Sequence, residues 1–355
     1  MPGNQPSTLA RYLFVAYALL IVYASLYPFS GWRGQGLAPF AFVAAPFPRP
    51  ISAFDVVANV IGYVPLAFLA ALAAYPSLTG RKAFVFGALC SLFLSFTLES
   101  LQFYLPSRTS SNLDLLANLA GGLLGSWWGL TAIRPLLRED GLQALRNRLF
   151  LSGGRIDLGL VLLALWLFAQ LYPGTLLFGT GDLRDLVRPP SGKLYPAELF
   201  QQVEAGVACA NGLAAGLLVS CLTARTTRAV VIAVIVSALA VHSLAYALLV
   251  GRQDFFVWVT PGAVYGVVAA IVLSVIAVAL PGPMRLALTG LALLAATVLV
   301  NLAPANPYNA STLALWQQGH YLNFNGVTRV VSTIWPFAAM VYLVLLAAAR
   351  DRPEK

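Results

Sequence analysis

An all-α, polytopic transmembrane bundle of about ten helices, with both termini cytoplasmic, is what this sequence predicts, and three observations carry the prediction. First, 59% of the 355 residues are hydrophobic and only 10% are charged, with a mean hydropathy of +0.79. That leaves too little polar surface to enclose a water-soluble core of this size. Second, the apolar residues gather into runs of about 20 residues, the length that crosses a bilayer's hydrocarbon core. Third, the basic residues sit in short loops between those runs, so the net charge of +9 reads as orientation in a membrane rather than as a nucleic-acid surface.

The runs follow in chain order. Leu9 to Phe29 is long enough to span, carries Arg11 near its start, and lacks the short apolar region and A-x-A site of a cleaved leader. A Gly/Pro-rich loop leads to Phe54, stiffened by Pro46, Pro48 and Pro50. Then come Asp55 to Tyr75, Ala83 to Leu105, Leu113 to Ile133, Asp157 to Phe178, Val203 to Thr223, Ala229 to Val250, Val257 to Leu280, Arg285 to Ala303 and Val330 to Ala349. With both termini inside, the inner loops collect 14 of the 22 lysines and arginines, several of them between Arg134 and Arg155. The expected location is therefore a membrane that the chain crosses several times. The loop from Gly179 to Glu198 is expected outside as a mixed-charge loop. The stretch Ala303 to Arg329, with Trp316, His320, Tyr321, Asn323 and Asn325, is expected flat on the outer interface.

One stretch breaks the apolar pattern. Between Glu99 and Gly125 the chain places Glu99, Gln102, Arg108, Asp114 and Asn118 around a turn at Pro106. Glu99 and Gln102 are three apart and Asp114 and Asn118 four apart, so on helices each pair shares a face. At about 1.5 Å per residue, Asn59, Glu99, Gln102 and Asn118 fall at one depth beneath the outer face, with Asp55, Asp114 and Arg108 above them. An ionised carboxylate inside a bilayer must be paired, protonated or wet. Two readings follow: a hydrogen-bond network that joins helices, or an outer-facing cavity that holds a ligand's polar head. Asp55 and Asp114 also begin apolar runs, where a carboxylate caps a helix. Gly62, Gly121 and Gly125 are candidates for close helix packing.

The combination Glu99-x-x-Gln102, Arg108, Asp114-x-x-x-Asn118 and Gly121-x-x-x-Gly125, with Asp55-x-x-x-Asn59, Tyr63 and Pro65 before it, resembles the signature of VanZ-like membrane proteins over roughly Leu13 to Leu130. The resemblance implies a retained first helix, an integral protein of the bacterial envelope and a link to resistance against the glycopeptide teicoplanin. It supplies no reaction.

Three segments organise the chain: 9–133, a four-helix unit with the polar cluster; 157–280, a second four-helix unit; and 285–355, two more helices and a tail. Ala24-x-Leu-Tyr-Pro28 recurs as Ala169-x-Leu-Tyr-Pro173, an offset of 145 that also carries Gly121 onto Gly266, so the second unit is a candidate parallel repeat. Glu99, Gln102 and Asp114 would then fall on Leu244, Ala247 and Val259, and the second copy would lack the cluster. In that half, His242, Asn211 and Glu204 are isolated polar residues, expected as partners between helices. Cys90, Cys209 and Cys221 lie inside apolar runs, and His242 and His320 lack ligand spacing, so no metal and no cofactor are expected.

The expected partner is a membrane lipid or lipid-linked envelope precursor, bound by Asp55, Asn59, Glu99, Gln102, Arg108, Asp114 and Asn118. The rivals are an intramembrane enzyme with Glu99 or Asp114 as base, and a lipid transporter or flippase. The first finds no nucleophile motif or phosphate loop, and the second few mid-membrane polar residues. The oligomeric state is left open.

Overall fold

In a computed structural model, residues 7–34, 36, 38–137, 141–184, 196–224, 227–249, 255–256, 258–303 and 322–350 are described. Among these the chain is all helical: α1 Thr8–Leu26, α2 Ala53–Ala74, α3 Arg81–Gln102, α4 Asn112–Leu137, α5 Leu142–Leu149, α6 Gly154–Ala169, α7 Ala197–Leu222, α8 Thr227–Leu249, α9 Pro261–Ala277, α10 Gly282–Leu302 and α11 Leu322–Arg350. The extended backbone that occurs among them is an isolated bridge between Phe150 and Thr223. Among the described residues, seven helices are long and apolar enough to cross a membrane: α1, α2, α3, α7, α8, α10 and α11. Of the other three expected runs, α6 and α9 have 16 and 17 residues, and α4, although 26 residues long, carries many Gly, Ser and Trp residues and is not among the seven.

The chain divides into two compact units, residues 1–147 and 148–355. In the first, α2 and α4 make the most extensive contact, α3 packs on both, and α1 lies against α2 and α3. Small residues allow this. A Cβ on Gly121 or Gly125 would collide with the carbonyl oxygens of Val60 and Val64, so α4 rests directly on the backbone of α2. Gly62, expected on a packing face, does not serve one: a Cβ there would meet nothing within 4 Å. Its carbonyl instead accepts the Tyr17 hydroxyl at 3.0 Å, joining α1 to α2.

In the second unit α7 is the centre. It packs against α9 and α10 most extensively and also touches α6 and α8, and nearly all of its second half is buried. Trp166, Phe178, Leu218, Leu222, Ile235 and Trp335 belong to the core around it.

Three expected boundaries need correction, and one helix is new. The run Asp157 to Phe178 is helical only to Ala169; beyond it the backbone is irregular yet buried, with Phe178 at 1% and Thr180 at 0% exposure. This strap is held by side chains. Thr180 donates to Asn211 Oδ1 at 3.0 Å, Asn301 Nδ2 to the Gly181 carbonyl at 2.8 Å, and the Gly181 N–H to the Ser332 carbonyl at 2.9 Å. Irregular backbone at membrane depth persists only where protein satisfies its polar groups, and Thr180 reaches a residue more than halfway along α7. The described start of the expected mixed-charge outer loop is therefore internal, and it includes an Arg184–Asp182 ion pair at 2.6 Å. Residues 185–195 lie outside the described ones, as do Trp316, His320 and Tyr321. α11 begins at Leu322, so Asn325 and Arg329 are helical rather than part of an interfacial loop. The amphipathic α5 was not expected at all. Among the described residues the three cysteines are free thiols.

Candidate functional site

The site is built where the first turns of α2 and α4 meet the last turn of α3. Each of the two helix starts is a serine followed three residues later by aspartate. Ser52 Oγ accepts the Asp55 N–H at 3.3 Å, and Ser111 Oγ accepts the Leu113 and Asp114 N–H groups at 3.1 and 3.3 Å. The serines therefore hold the cap positions, and the carboxylates occupy the first turn, where the dipole favours them. This corrects the expectation that Asp55 and Asp114 cap.

Glu99 lies beneath, 4% exposed. Its carboxylate accepts the Ser111 N–H at 2.8 Å, and its own carbonyl accepts the Ser110 hydroxyl at 2.6 Å. One residue thus fixes the whole α3–α4 turn. A turn below, Asn118 donates from Nδ2 to Ser95 Oγ at 2.9 Å, and Ser95 also meets the Tyr63 side chain from α2. Asn59 reaches the Asp114 carboxylate, which in turn feels the charge of Asp55, while Glu99 feels Asp114 and Arg108. Five of the expected residues therefore gather at one end of α2, α3 and α4: Asp55, Asn59, Glu99, Asp114 and Asn118. Asn118 Oδ1 is buried with no hydrogen-bond partner.

The other two turn toward α1. Gln102 Nε2 donates to the Ser25 carbonyl at 2.9 Å. Arg108 donates from Nε to the Tyr27 carbonyl at 3.1 Å, and from Nη2 to Ala24 and Tyr27 at 3.0 and 2.7 Å. A cation on the last carbonyls of a helix meets the negative end of its dipole. Burial draws the Arg108 pKa below its ordinary value and the Glu99 carboxylate pushes it back, so the guanidinium keeps its charge. Gln102 and Arg108 position α1 against the site.

Sequence reasoning passed over Ser91, Ser95 and Ser111. The available signal was the spacing Ser91, Ser95, Glu99, four apart along one buried face of α3. Among the described residues no group of three His, Cys, Asp or Glu is placed to hold a metal ion.

Seven long apolar helices and a polar end confined to one four-helix unit define a multi-pass membrane protein. Residues 14–133 match the VanZ/LLP1 family model, and the first unit is a VanZ-like domain. Neither a curated protein nor a solved structure matches the chain.

Proposed function

We propose that the VanZ-like unit binds the polar head of a membrane lipid or lipid-linked envelope precursor at the α2–α3–α4 end, from the outer leaflet of a bacterial inner membrane. The observation that supports this most is the grouping of Asp55, Asn59, Glu99, Asp114 and Asn118 on three helices, with the Asn118 carbonyl oxygen lacking a partner among the described residues. Buried polar atoms in native proteins are normally satisfied, so an orphan acceptor on one of the three helices that carry the carboxylates marks a place for a donor from outside. Glu99 and the Ser95–Asn118 pair do the joining work of a helix seam; Asp55, exposed, and Asn59 and Asp114, half-buried, face the mouth. Arg108, held on the carbonyls of α1, contributes its charge near Glu99 rather than a direct contact with the head group. Through the family the unit is tied to altered exposure to glycopeptides of the teicoplanin type, and head-group binding gives that tie a chemical basis.

The test is native mass spectrometry of the full chain in detergent with phosphatidylglycerol, phosphatidylethanolamine and undecaprenyl phosphate added singly. Asp114→Asn with Asn59→Leu is expected to lower retention of the favoured lipid about tenfold while the fold persists. Unchanged retention in that variant overturns the site.

A further inference from the structure

The two units share part of an internal plan, although α3 packs closely on α4 while the corresponding α8 and α9 barely touch. Shifting α1, α2, α3 and α4 by 145 residues brings each start within four residues of the starts of α6, α7, α8 and α9. In the first unit the most extensive contact is α2 with α4; in the second it is α7 with α9. The register of that contact is shared too. Ala117, Gly121, Gly125 and Gly129 are buried at four-residue spacing along α4, and Gly262, Gly266, Ala270 and Ser274 fall at the same offset along α9, all buried. A Cβ on Gly121 would strike the Val60 carbonyl, and one on Gly266 would lie 2.7 Å from the carbonyl of Ala205, the residue 145 beyond Val60. A third correspondence lies at the end of the first helix. The Ser25 carbonyl receives Gln102 from α3, and the Gln170 carbonyl, again 145 on, pairs with His242 Nδ1 from α8 at 3.0 Å.

What differs is the polar end. Asn59 corresponds to Glu204 and Leu115 to Thr260. Glu204 is 5% exposed, and its carboxylate accepts the Thr260 hydroxyl, while Thr260 Oγ1 accepts the Ala263 N–H at 3.0 Å. A Cβ on Gly262 would stand 2.6 Å from Glu204 Oε2, so the acid is pressed onto the start of α9. Asp55 and Asp114 correspond to Phe200 and Val259, which removes both acids of the mouth.

Resting on the head-group reading of the first unit, we propose that residues 154–277 are a diverged second copy of the VanZ-like unit in which Glu204 and Thr260 close the polar end, leaving one binding copy and one scaffold copy. The helices that follow then complete the scaffold rather than the site.

The full chain in detergent decides this in two arms. In the first, Gly121→Leu and Gly266→Leu are each expected to lower the thermal midpoint, because each drives a side chain into the facing backbone. A Gly266→Leu chain as stable as wild type overturns the copy. In the second, the closed arrangement is moved into the first unit with Asn59→Glu and Leu115→Thr, and opened in the second with Glu204→Gln. By native mass spectrometry with the same three lipids, the double variant is expected to lose about tenfold in retention and Glu204→Gln to retain lipid like wild type. Full retention by the double variant, or loss by Glu204→Gln, overturns the division of labour. If Glu204→Gln does not fold, Thr260→Val removes the same hydrogen bond and is read the same way. A wild-type chain that retains none of the three lipids overturns the head-group reading and the division of labour with it, and the glycine arm still decides the copy.

Discussion

At Glu99 a carboxylate inside an apolar helix is tolerated because the chain brings a backbone donor to it. The Ser111 N–H lies 2.8 Å away and the Ser110 hydroxyl ties the same residue's carbonyl. Removing the acceptor leaves a buried N–H without a partner, a cost of about 1–3 kcal/mol. Glu99→Ala is therefore expected to unfold that much more easily in detergent, while Glu99→Gln, which keeps an acceptor, loses less; equal losses would mean that the carboxylate does not hold the turn. Arg108 makes a comparable case. Its fork reaches two carbonyls of α1, a geometry that an ammonium cannot reproduce. Arg108→Lys should raise amide hydrogen exchange at residues 24–29 and leave the α2–α4 contact protected. These roles were only half legible beforehand. That Glu99 and Arg108 matter was visible from their rarity, but their partners are main-chain groups, and a backbone carbonyl or N–H carries no mark in a sequence.

Among the elements, the seam between α2 and α4 is the most demanding. Gly121 and Gly125 lie against carbonyls rather than side chains, so a larger residue cannot be accommodated by a rotamer change. Gly125→Val is expected to destabilise by more than about 2 kcal/mol, as overpacking against an unyielding wall does, read as a lower midpoint in a thermal scan. Gly62 gives the contrast. With open space around its Cα, Gly62→Ala should stabilise α2 by about 0.5–1 kcal/mol through reduced backbone freedom in the unfolded chain. A loss at that position would place an undetected neighbour there. Both glycines sit on helices, and their spacing alone does not tell them apart: Gly121-x-x-x-Gly125 announces a close approach, yet which helix approaches, and whether Gly62 joins in, depends on helix rotation. The strap after α6 shows the same limit at larger size. Its residues are as apolar as those of a helix, and hydropathy reads Asp157 to Phe178 as one run. Asn211, Asn301 and the Ser332 carbonyl, contributed by three distant helices, help to make a non-helical path there possible.

For the whole molecule, the distribution of charge is the strongest guide. If the basic residues Arg11, Arg81, Lys82 and those from Arg134 to Arg155 mark the inner side, both termini are expected in the cytoplasm. A C-terminal fluorescent-protein fusion is then expected to be bright and a C-terminal alkaline-phosphatase fusion inactive; the reverse pattern would invert the orientation and turn the polar end of the VanZ-like unit inward. The sequence by itself determined the class of the molecule and the likeness of the first unit to the VanZ family. Each of these follows from composition, from spacing along one segment or from a local motif, all of which are properties of neighbours in the chain. Only the tertiary structure decided that Gln102 and Arg108 serve α1 and that the serines cap in place of the aspartates. It alone put an irregular strap inside the second unit and Glu204 at the place that Asn59 holds in the first. Each depends on how a helix is rotated about its axis and on which distant carbonyl it meets, and such pairings are settled by packing between helices far apart in sequence.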